Sequence, residues 1–402
     1  MRILFLTPQI PYPPYKGTAL RNWGLISGLA ARHDVSVLSF VDPGQAPEVP
    51  PLLQEMGQVE AVEPPLRSTR DRLRGMLASR QADMALRLAS QPYAEQLSRW
   101  LQEKRYDVVQ IEGIELAPYL SVIAAARPRP LIVFDDHNCE YLLQQRTFLT
   151  DLRTPARWPA AAYSMIQWQR LRRYEAEVCA AADRVLAVSE ADGAALRRLV
   201  PGLDVTVIPN GIDARAYRPA APSEVSRPPY RLVFTGTMDF RPNVDAVLWF
   251  AHHVLPELKR RYGEQFHFDI VGQRPHARLK PLEGDPAITV TGWVADVRPY
   301  IARAMVYVAP LRMGGGTRLK LLEAMAMAKA VVATRLGAEG YPVTDRKELL
   351  LADTAADFAA AVGAVHEDLR LRTELGHNAR AFVEQQYDWR AIVPQVEAVY
   401  AA

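Results

Sequence analysis

Short apolar segments alternate with longer amphipathic ones along almost the whole chain of 402 residues. This alternation predicts a repeated strand–helix pattern. Strands that are apolar nearly throughout belong to parallel sheets covered by helices on both faces. Residues 1–213 are therefore predicted to form one doubly wound, Rossmann-like α/β domain. Its predicted strands are RILFLT, DVSVLSF, YDVVQIEG, PLIVFDDH, DRVLAVS and VTVIPNG.

A segment rich in proline and small polar residues interrupts the pattern at residues 214–230 and predicts a linker. The pattern then restarts, so residues 231–385 are predicted to form a second Rossmann-like domain. A single core seldom grows beyond about 250 residues, which also favours two domains. Residues 386–402 have helical apolar spacing and are expected to pack back on the first domain.

Charge and cysteine usage limit the classes of function. Lys and Arg total 48 against 45 Asp and Glu, so overall basicity does not indicate a nucleic-acid partner. Cys139 and Cys179 show neither metal-ligand spacing nor a disulfide framework, which is typical of a reducing compartment. The apolar run at residues 3–6 is too short for a signal peptide or membrane span. We therefore expect a cytoplasmic protein.

The most informative motif is PLRMGGGTRLKLLEAMA, residues 310–326. Three glycines, Gly314, Gly315 and Gly316, allow close approach of a ligand to the backbone. Thr317 is predicted to cap the helix that follows, whose first N–H groups attract a diphosphate. An ordinary amphipathic helix after a glycine turn is the alternative interpretation.

Two charged residues lie three positions apart on that predicted helix. Lys320 adds a positive charge beside the expected diphosphate. Glu323 falls on nearly the same helix face and can accept hydrogen bonds from ribose hydroxyls. The pair therefore predicts a site for a sugar nucleotide.

Four further motifs occur in a fixed order along the chain: ADRVLAVSE, VIPNGID, LVFTGTMDFRPN and LKLLEAMAMAKAVVAT. With the two predicted domains, they make the chain resemble the retaining GT-B glycosyltransferases of group 1, including those that build bacterial surface polysaccharides and lipid glycans. The resemblance implies two domains facing across a cleft. It implies transfer of a sugar from a nucleotide diphosphate-sugar to a hydroxyl of a glycan or lipid-linked acceptor, without a metal ion or other cofactor.

The resemblance assigns roles to residues of the second domain. Arg241, Arg318 and Lys320 correspond to groups that neutralise the diphosphate, and Glu323 to the second glutamate of a paired motif, which holds ribose. The chain departs from the family at the first glutamate, where it has Gly315. It departs again at Thr237, where many relatives carry arginine.

A second loop of this domain, at Gly292, Trp293 and Val294, resembles the family's base-contacting segment. Backbone groups there would contact the nucleobase. Because tryptophan is equally common in hydrophobic cores, burial of Trp293 in the core is the alternative.

The first domain supplies residues at predicted strand ends. Gly17 is expected to open a helix and to allow approach of phosphate or acceptor. His137 follows the strand PLIVFDD, where the family places a histidine that contacts the transferred sugar, and Asp135 and Asp136 are expected to position it. Glu112, at the end of VVQIEG, is a weaker candidate for the same region.

Two stretches of the first domain are locally basic. Residues 66–100 carry seven arginines against three acids, and residues 144–174 carry six against one. Interleaved aromatic and apolar residues suggest peripheral contact with an anionic membrane or a lipid diphosphate carrier. Two solvated helix faces are the alternative.

Other functions remain open at this point. A nucleotide-sugar 2-epimerase shares the two-domain architecture but needs no acceptor. A degenerate, non-catalytic glycosyltransferase subunit is suggested by Gly315 and Thr237. NAD-dependent oxidoreduction fits least, because no GxGxxG follows the first strand.

Overall fold

The structure is a computed structural model that describes residues 1–14, 17–41, 51–55, 57–68, 79–152, 155–219, 229–314 and 317–402. These residues divide into two compact units, one of residues 1–210 with 392–402 and one of residues 211–391. No helix among the described residues has both the length and the apolar character of a membrane span.

Unit 1 contains a parallel seven-stranded sheet with the order β3-β2-β1-β4-β5-β6-β7. This is the Rossmann order, in which the direction of winding reverses between β1 and β4. The strands are β1 Arg2–Thr7, β2 Asp34–Phe40, β3 Val59–Val62, β4 Val108–Glu112, β5 Leu131–Asp136, β6 Arg184–Ala187 and β7 Val205–Val207.

Helices connect these strands and cover the sheet. Those in the described part of unit 1 are α1 Gly17–Ala30, α2 Pro51–Gln54, α3 Asp83–Arg87, α4 Gln91–Glu103, α5 Leu120–Ala125, α6 Glu140–Leu152, α7 Trp158–Ala181 and α8 Glu190–Leu199. Short 3-10 turns occur at Ile114–Tyr119 and Pro155–Arg157. β1 is buried from Ile3 onward, as expected of a strand covered on both faces.

Unit 2 repeats the architecture with a parallel six-stranded sheet, β10-β9-β8-β11-β12-β13. Its winding reverses between β8 and β11. The strands are β8 Tyr230–Thr235, β9 Phe266–Val271, β10 Ile288–Val290, β11 Val306–Ala309, β12 Ala330–Ala333 and β13 Leu350–Leu351.

The helices of the second half are α9 Arg241–Trp249, α10 Leu255–Tyr262, α11 Arg298–Arg303, α12 Leu319–Ala326, α13 Ala355–Glu367, α14 Leu369–Gln386 and α15 Trp389–Ala401. A π-helical turn, Phe250–Val254, links α9 to α10, and 3-10 turns occur at Gly263–Gln265 and Ala277–Gly284. Apolar side chains from strands and helices form one buried cluster in unit 1 and two in unit 2.

The predicted fold class, two Rossmann-like α/β domains, is confirmed by the two sheets. The predicted C-terminal helix over 386–402 corresponds to α15, which begins at Trp389, three residues after α14 ends at Gln386. Residues 392–402 pack within unit 1, where the hydroxyl of Tyr400 bonds to the side chain of Gln110. Most of the predicted linker, residues 220–228, lies outside the described residues.

Cys139 and Cys179 are both buried and unbridged. Burial raises the pKa of each thiol. Neither cysteine is therefore poised to act as a thiolate near neutral pH.

Candidate functional site

Helix α12 carries the predicted sugar-nucleotide residues of unit 2 and begins at Leu319. Its N-cap is Arg318, whose side chain makes no capping hydrogen bond. The prediction that Thr317 caps this helix is therefore wrong, because Thr317 lies one residue before the N-cap. An arginine has no acceptor to offer the first-turn N–H groups. Gly315 and Gly316 lie outside the described residues.

Lys320 is held by side chains of α9 and β8. Its ammonium donates to Asn243 Oδ1 at 2.7 Å and lies 4.4 Å from the centre of the Phe234 ring. The amide nitrogen of Asn243 donates in turn to the carbonyl oxygen of Thr237 at 2.9 Å. Asn243 therefore ties helix α12 to the loop in which Thr237 replaces the family arginine.

The glycine of that loop makes this arrangement sterically possible. Gly236 has a φ of 155°, and a Cβ added there would lie 2.6 Å from Lys320 Nζ. Any side chain would therefore displace the lysine. The Lys320 ammonium consequently lies directly against the backbone at Gly236, where a ligand phosphate can also approach.

Burial lowers the pKa of Lys320 to about 7, and the positive charge of Arg318 acts in the same direction. The negative charge of Glu323 opposes both effects. A diphosphate beside Lys320 would favour the charged ammonium. The site is therefore poised to gain a proton when it binds an anion.

Glu323 has a partner that the sequence did not indicate. The phenol of Tyr217 donates to Glu323 Oε1 at 2.9 Å. Burial raises the pKa of Glu323, and the hydrogen bond from Tyr217 offsets only part of that rise. Tyr217 is itself placed by Arg298, whose guanidinium lies 5.9 Å from the ring centre and donates to the carbonyl oxygen of Ala216 at 2.9 Å.

The two remaining basic candidates differ in exposure. Arg241 is exposed at the first position of α9, whereas Arg318 is buried. Gly314 has a φ of 105°. A Cβ added there would lie 3.3 Å from both Pro242, in the first turn of α9, and the Arg318 guanidinium. Close packing at Gly314 therefore brings the start of α9 near the start of α12.

The predicted base-contacting loop follows β10. Trp293 is 72% exposed, so the alternative that it belongs to the core is wrong. Gly292 adopts a left-handed conformation with a φ of 69°, and Val294 packs half-buried against the apolar cluster that includes α12. The indole is thus presented to solvent at the carboxyl edge of the unit 2 sheet.

In unit 1, His137 is paired with Glu112. The His137 Nε2 and Glu112 Oε2 atoms are 2.6 Å apart, and Gln110 donates to the other carboxylate oxygen at 2.5 Å. The hydrogen-bond partner of His137 is therefore Glu112 and not Asp135 or Asp136, which corrects the expected positioning groups. The reason is that Glu112 ends β4, the strand next to β5 and His137.

The pKa values of both members of this pair are raised. Burial alone would lower the pKa of His137, but the hydrogen bond and charge of Glu112 outweigh it, so the pKa is raised. Burial raises the pKa of Glu112, and the charge of Asp135 adds to that rise. His137 is consequently more readily protonated than an ordinary histidine.

Helix α1 begins at Gly17, as predicted, and places Arg21 one turn later. Arg21 is fully buried, and its Nε and Nη2 atoms each donate to Asp135 at 2.9 Å. Its Nη1 donates to the carbonyl oxygens of Ile208 and Pro209 at 3.0 and 3.2 Å. Arg21 therefore joins β5 to the VIPNG loop. A Cβ added at Gly17 would meet no atom within 4 Å.

Two groups of side chains in the described residues have ligand atoms within 4.8 Å of one another: Glu112, Asp135 and His137, and Asp136, Cys139 and Glu175. In the first group, the Arg21 guanidinium already neutralises Asp135. In the second, Glu175 accepts the backbone N–H groups of Glu140 and Tyr141 at 2.8 and 2.9 Å.

Burial and the charge of Glu175 raise the pKa of Asp136 well above its ordinary value. In both groups, therefore, part of the carboxylate charge or hydrogen-bonding capacity is already taken up within the protein.

Two family models match the chain. Residues 15–216, half of its length, match Glycosyltransferase Family 4. Residues 229–368 match Glycosyl transferases group 1.

Among curated relatives, a phosphatidyl-myo-inositol mannosyltransferase of Mycolicibacterium smegmatis is 33% identical over 207 residues, 50% of this chain and 52% of the relative. An alpha-maltose-1-phosphate synthase of Mycobacterium tuberculosis is 28% identical over 246 residues, 55% of this chain and 63% of that relative. The alignments thus span about half to three-fifths of these relatives.

Solved structures resemble the chain over its whole length. HepE of Anabaena, solved in complex with UDP, has a TM-score of 0.68 at 17% identity, with 100% of both chains covered. A sucrose-phosphate synthase from Thermosynechococcus elongatus has a TM-score of 0.67 at 17% identity, covering 100% of this chain and 98% of that one. At such identities the likeness shows the GT-B fold. The family models show that this chain is a glycosyltransferase that belongs to Glycosyltransferase Family 4, with a group 1 segment over residues 229–368.

Proposed function

We propose that the chain moves a sugar from a nucleotide diphosphate-sugar to a hydroxyl of a glycan or lipid-linked acceptor, with retention of anomeric configuration and without a metal ion. The observation that carries this proposal is the arrangement on α12, where Lys320 and Glu323 are each held by a partner from another segment, Asn243 and Tyr217. HepE, which has the same fold, was solved with UDP and with UDP-glucose.

In this proposal the donor diphosphate lies against the start of α12. Lys320 and the first-turn N–H groups of the helix face the phosphates. They stabilise the leaving group as it gains negative charge. Arg241, exposed at the start of α9, supplies a second positive charge.

In the same proposal, Glu323 accepts a hydrogen bond from a ribose hydroxyl. Its Oε1 already accepts the Tyr217 hydrogen bond, so Oε2 is the oxygen assigned to the ribose. Trp293 lies exposed in the segment assigned to the base.

The proposed reaction is a same-face displacement. The bond from the anomeric carbon to the phosphate oxygen breaks, and the bond to the acceptor oxygen forms on the same face. The acceptor proton passes to the departing phosphate oxygen. His137, hydrogen-bonded to Glu112, is assigned to a hydroxyl of the transferred sugar.

The alternative route to retention requires a carboxylate nucleophile at the anomeric carbon. Asp135 accepts hydrogen bonds from Nε and Nη2 of Arg21, and Asp136 is buried with its pKa raised. Glu112 is fully buried behind His137. These three carboxyl groups are therefore poor nucleophiles, which supports same-face attack.

A panel of sugar nucleotides tests the proposal, with products separated by chromatography. We expect slow release of the nucleoside diphosphate from one donor without acceptor, and faster release with acceptor. Interconversion of two sugar nucleotides would instead establish an epimerase, and failure to bind any donor would support a non-catalytic subunit. Inclusion of EDTA is expected to leave the transferase rate unchanged, and its loss with chelator would overturn metal independence.

Anomeric configuration is tested separately by NMR of the product. The proton coupling at the new glycosidic bond is expected to match that of the donor. An inverted coupling would overturn the same-face mechanism while leaving the transferase assignment intact.

A further inference from the structure

Exposed apolar side chains are concentrated on one helical hairpin, α6 and α7. Twelve large hydrophobic side chains are exposed in the described part of the chain, and seven of them lie between residues 143 and 166. Soluble proteins usually scatter such side chains singly. The seven are Leu143, Leu149, Leu152, Trp158, Tyr163, Met165 and Ile166.

The main packing of the hairpin lies elsewhere, although the Trp158 indole also donates to the carbonyl oxygen of Leu152 at 3.3 Å. The two helices pack through an inner face on which the Phe148 and Trp168 rings stack with centres 6.0 Å apart. Trp168 also packs against the buried cluster of unit 1. On the outer side, Trp158 is 58% exposed at the start of α7. The outer apolar side chains therefore serve something other than the core.

Positive charge predominates around this surface, although Glu177 is exposed near the end of α7. Residues 144–174 include six arginines and a single acid, Asp151. Asp151 is buried and paired with Arg157 at 3.0 Å. Arg146, Arg172 and Arg173 are exposed. Arg173 borders a shallow groove that it shares with Met165 and Ile166. The surface is thus both apolar and positively charged.

We infer that this outer hairpin surface docks on an anionic lipid bilayer. The apolar side chains enter the boundary between headgroups and acyl chains, and the arginines bind lipid phosphates. None of these residues belongs to the proposed donor site, so the inference is independent of the nucleotide chemistry. The other basic stretch, residues 66–100, lies partly outside the described residues and is not needed for it.

A second copy of the chain would fit the same surface less well. In a two-fold contact the same patch faces itself, so the arginines of one copy would lie against those of the other. Like charges at an interface repel one another, whereas an anionic bilayer neutralises them. The charge of the hairpin therefore favours lipid.

Co-sedimentation with vesicles tests the inference, using the full chain and no donor. We expect binding to vesicles that contain phosphatidylglycerol and little binding to pure phosphatidylcholine. Neutralising Arg172 or Arg173 by Arg→Gln is expected to weaken partitioning about fivefold each. Trp158→Glu and Met165→Glu are expected to abolish it, because a charge replaces an inserted apolar group.

Leu369→Glu is the matched control, since Leu369 is also exposed but belongs to unit 2, and it is expected to bind vesicles as the wild type does. Nucleoside diphosphate binding should be unchanged in all of these variants, which shows that they are folded and separates this test from the donor-site test. Equal vesicle binding by Trp158→Glu and wild type would overturn the inference. The inference would also be overturned if the protein did not bind the vesicles and instead self-associated in a concentration-dependent way that the hairpin variants abolish.

Discussion

The hydroxyl of Tyr217 donates to Glu323 Oε1 at 2.9 Å across a separation of 106 residues. This bond fixes the carboxylate that the donor site assigns to ribose. Tyr217 is a positioning residue, because it acts on the proposed ligand through Glu323.

Tyr217→Phe is therefore expected to weaken donor binding modestly. Loss of this positioning hydrogen bond should cost about 0.5–1.5 kcal/mol, roughly two- to tenfold in KM for the donor, which is less than removal of Glu323 itself. The value of kcat should change less, and KM for the acceptor should not change. Steady-state kinetics with both substrates varied checks this. An unchanged donor KM would show that Tyr217 does not position Glu323.

Donor affinity is expected to depend on pH near neutrality. Burial and Arg318 hold the pKa of Lys320 at about 7 in the free protein. The charged ammonium binds a diphosphate, so affinity should fall as pH rises through about 7. Calorimetry of nucleoside diphosphate binding across this range measures the effect.

Lys320→Arg is the control for that profile, because a guanidinium stays protonated throughout the range. Its affinity should vary less with pH than that of the wild type. Identical profiles in the two proteins would assign the pH dependence to another group.

The Glu112–His137 pair makes a separate prediction. Because Glu112 raises the pKa of His137, Glu112→Gln should lower that pKa. NMR titration of the His137 ring, assigned with a His137→Gln variant, measures it. An equal or higher pKa in Glu112→Gln would contradict the pairing.

The same pair links folding stability to pH. The folded-state pKa values of His137 and Glu112 are both raised, so their contribution is complete at low pH and is lost as pH rises through the raised values. The difference in Tm between wild type and Glu112→Gln should therefore become less favourable to the wild type as pH increases. Thermal melts in a series of buffers test this.

Arg21 is expected to matter for stability more than for chemistry. Arg21→Met leaves the fully buried Asp135 without its partner, and breaking a buried pair costs about 3–5 kcal/mol. Arg32→Met removes a pair with Glu397 in which the arginine is exposed, and should cost less than about 1 kcal/mol. Denaturant unfolding compares the two variants. Similar losses would show that the Arg21 pair is not a structural anchor.

The sequence was sufficient for the fold class because most strands could be identified locally, although the short strand β3, Val59–Val62, was not among those predicted. An apolar run such as residues 3–6 predicts a strand buried on both faces, and that is what β1 is. Helix ends were less predictable. Thr317 looked like a cap, but the structure begins α12 two residues later, at Leu319.

The contacts of the site were beyond sequence reasoning because they join distant segments. Lys320 and Asn243 are separated by 77 residues, and nothing near either one indicates the other. Asn243 at least lies within the motif LVFTGTMDFRPN, whereas no pattern marked Tyr217. Glu112 was recognised as a polar strand end, but its contact with His137 required the register of β4 against β5.

Calorimetric binding of nucleoside diphosphates tests the central claim, that α12 holds the donor through Lys320 and Glu323. Wild type is expected to bind one diphosphate, and Lys320→Ala and Glu323→Ala should each weaken binding by about 2 kcal/mol, roughly thirtyfold, while each variant still unfolds cooperatively in thermal melts. Lys280→Ala and Glu283→Ala, exposed residues of the same unit, should bind as the wild type does. Undiminished binding by both α12 variants would contradict the claim.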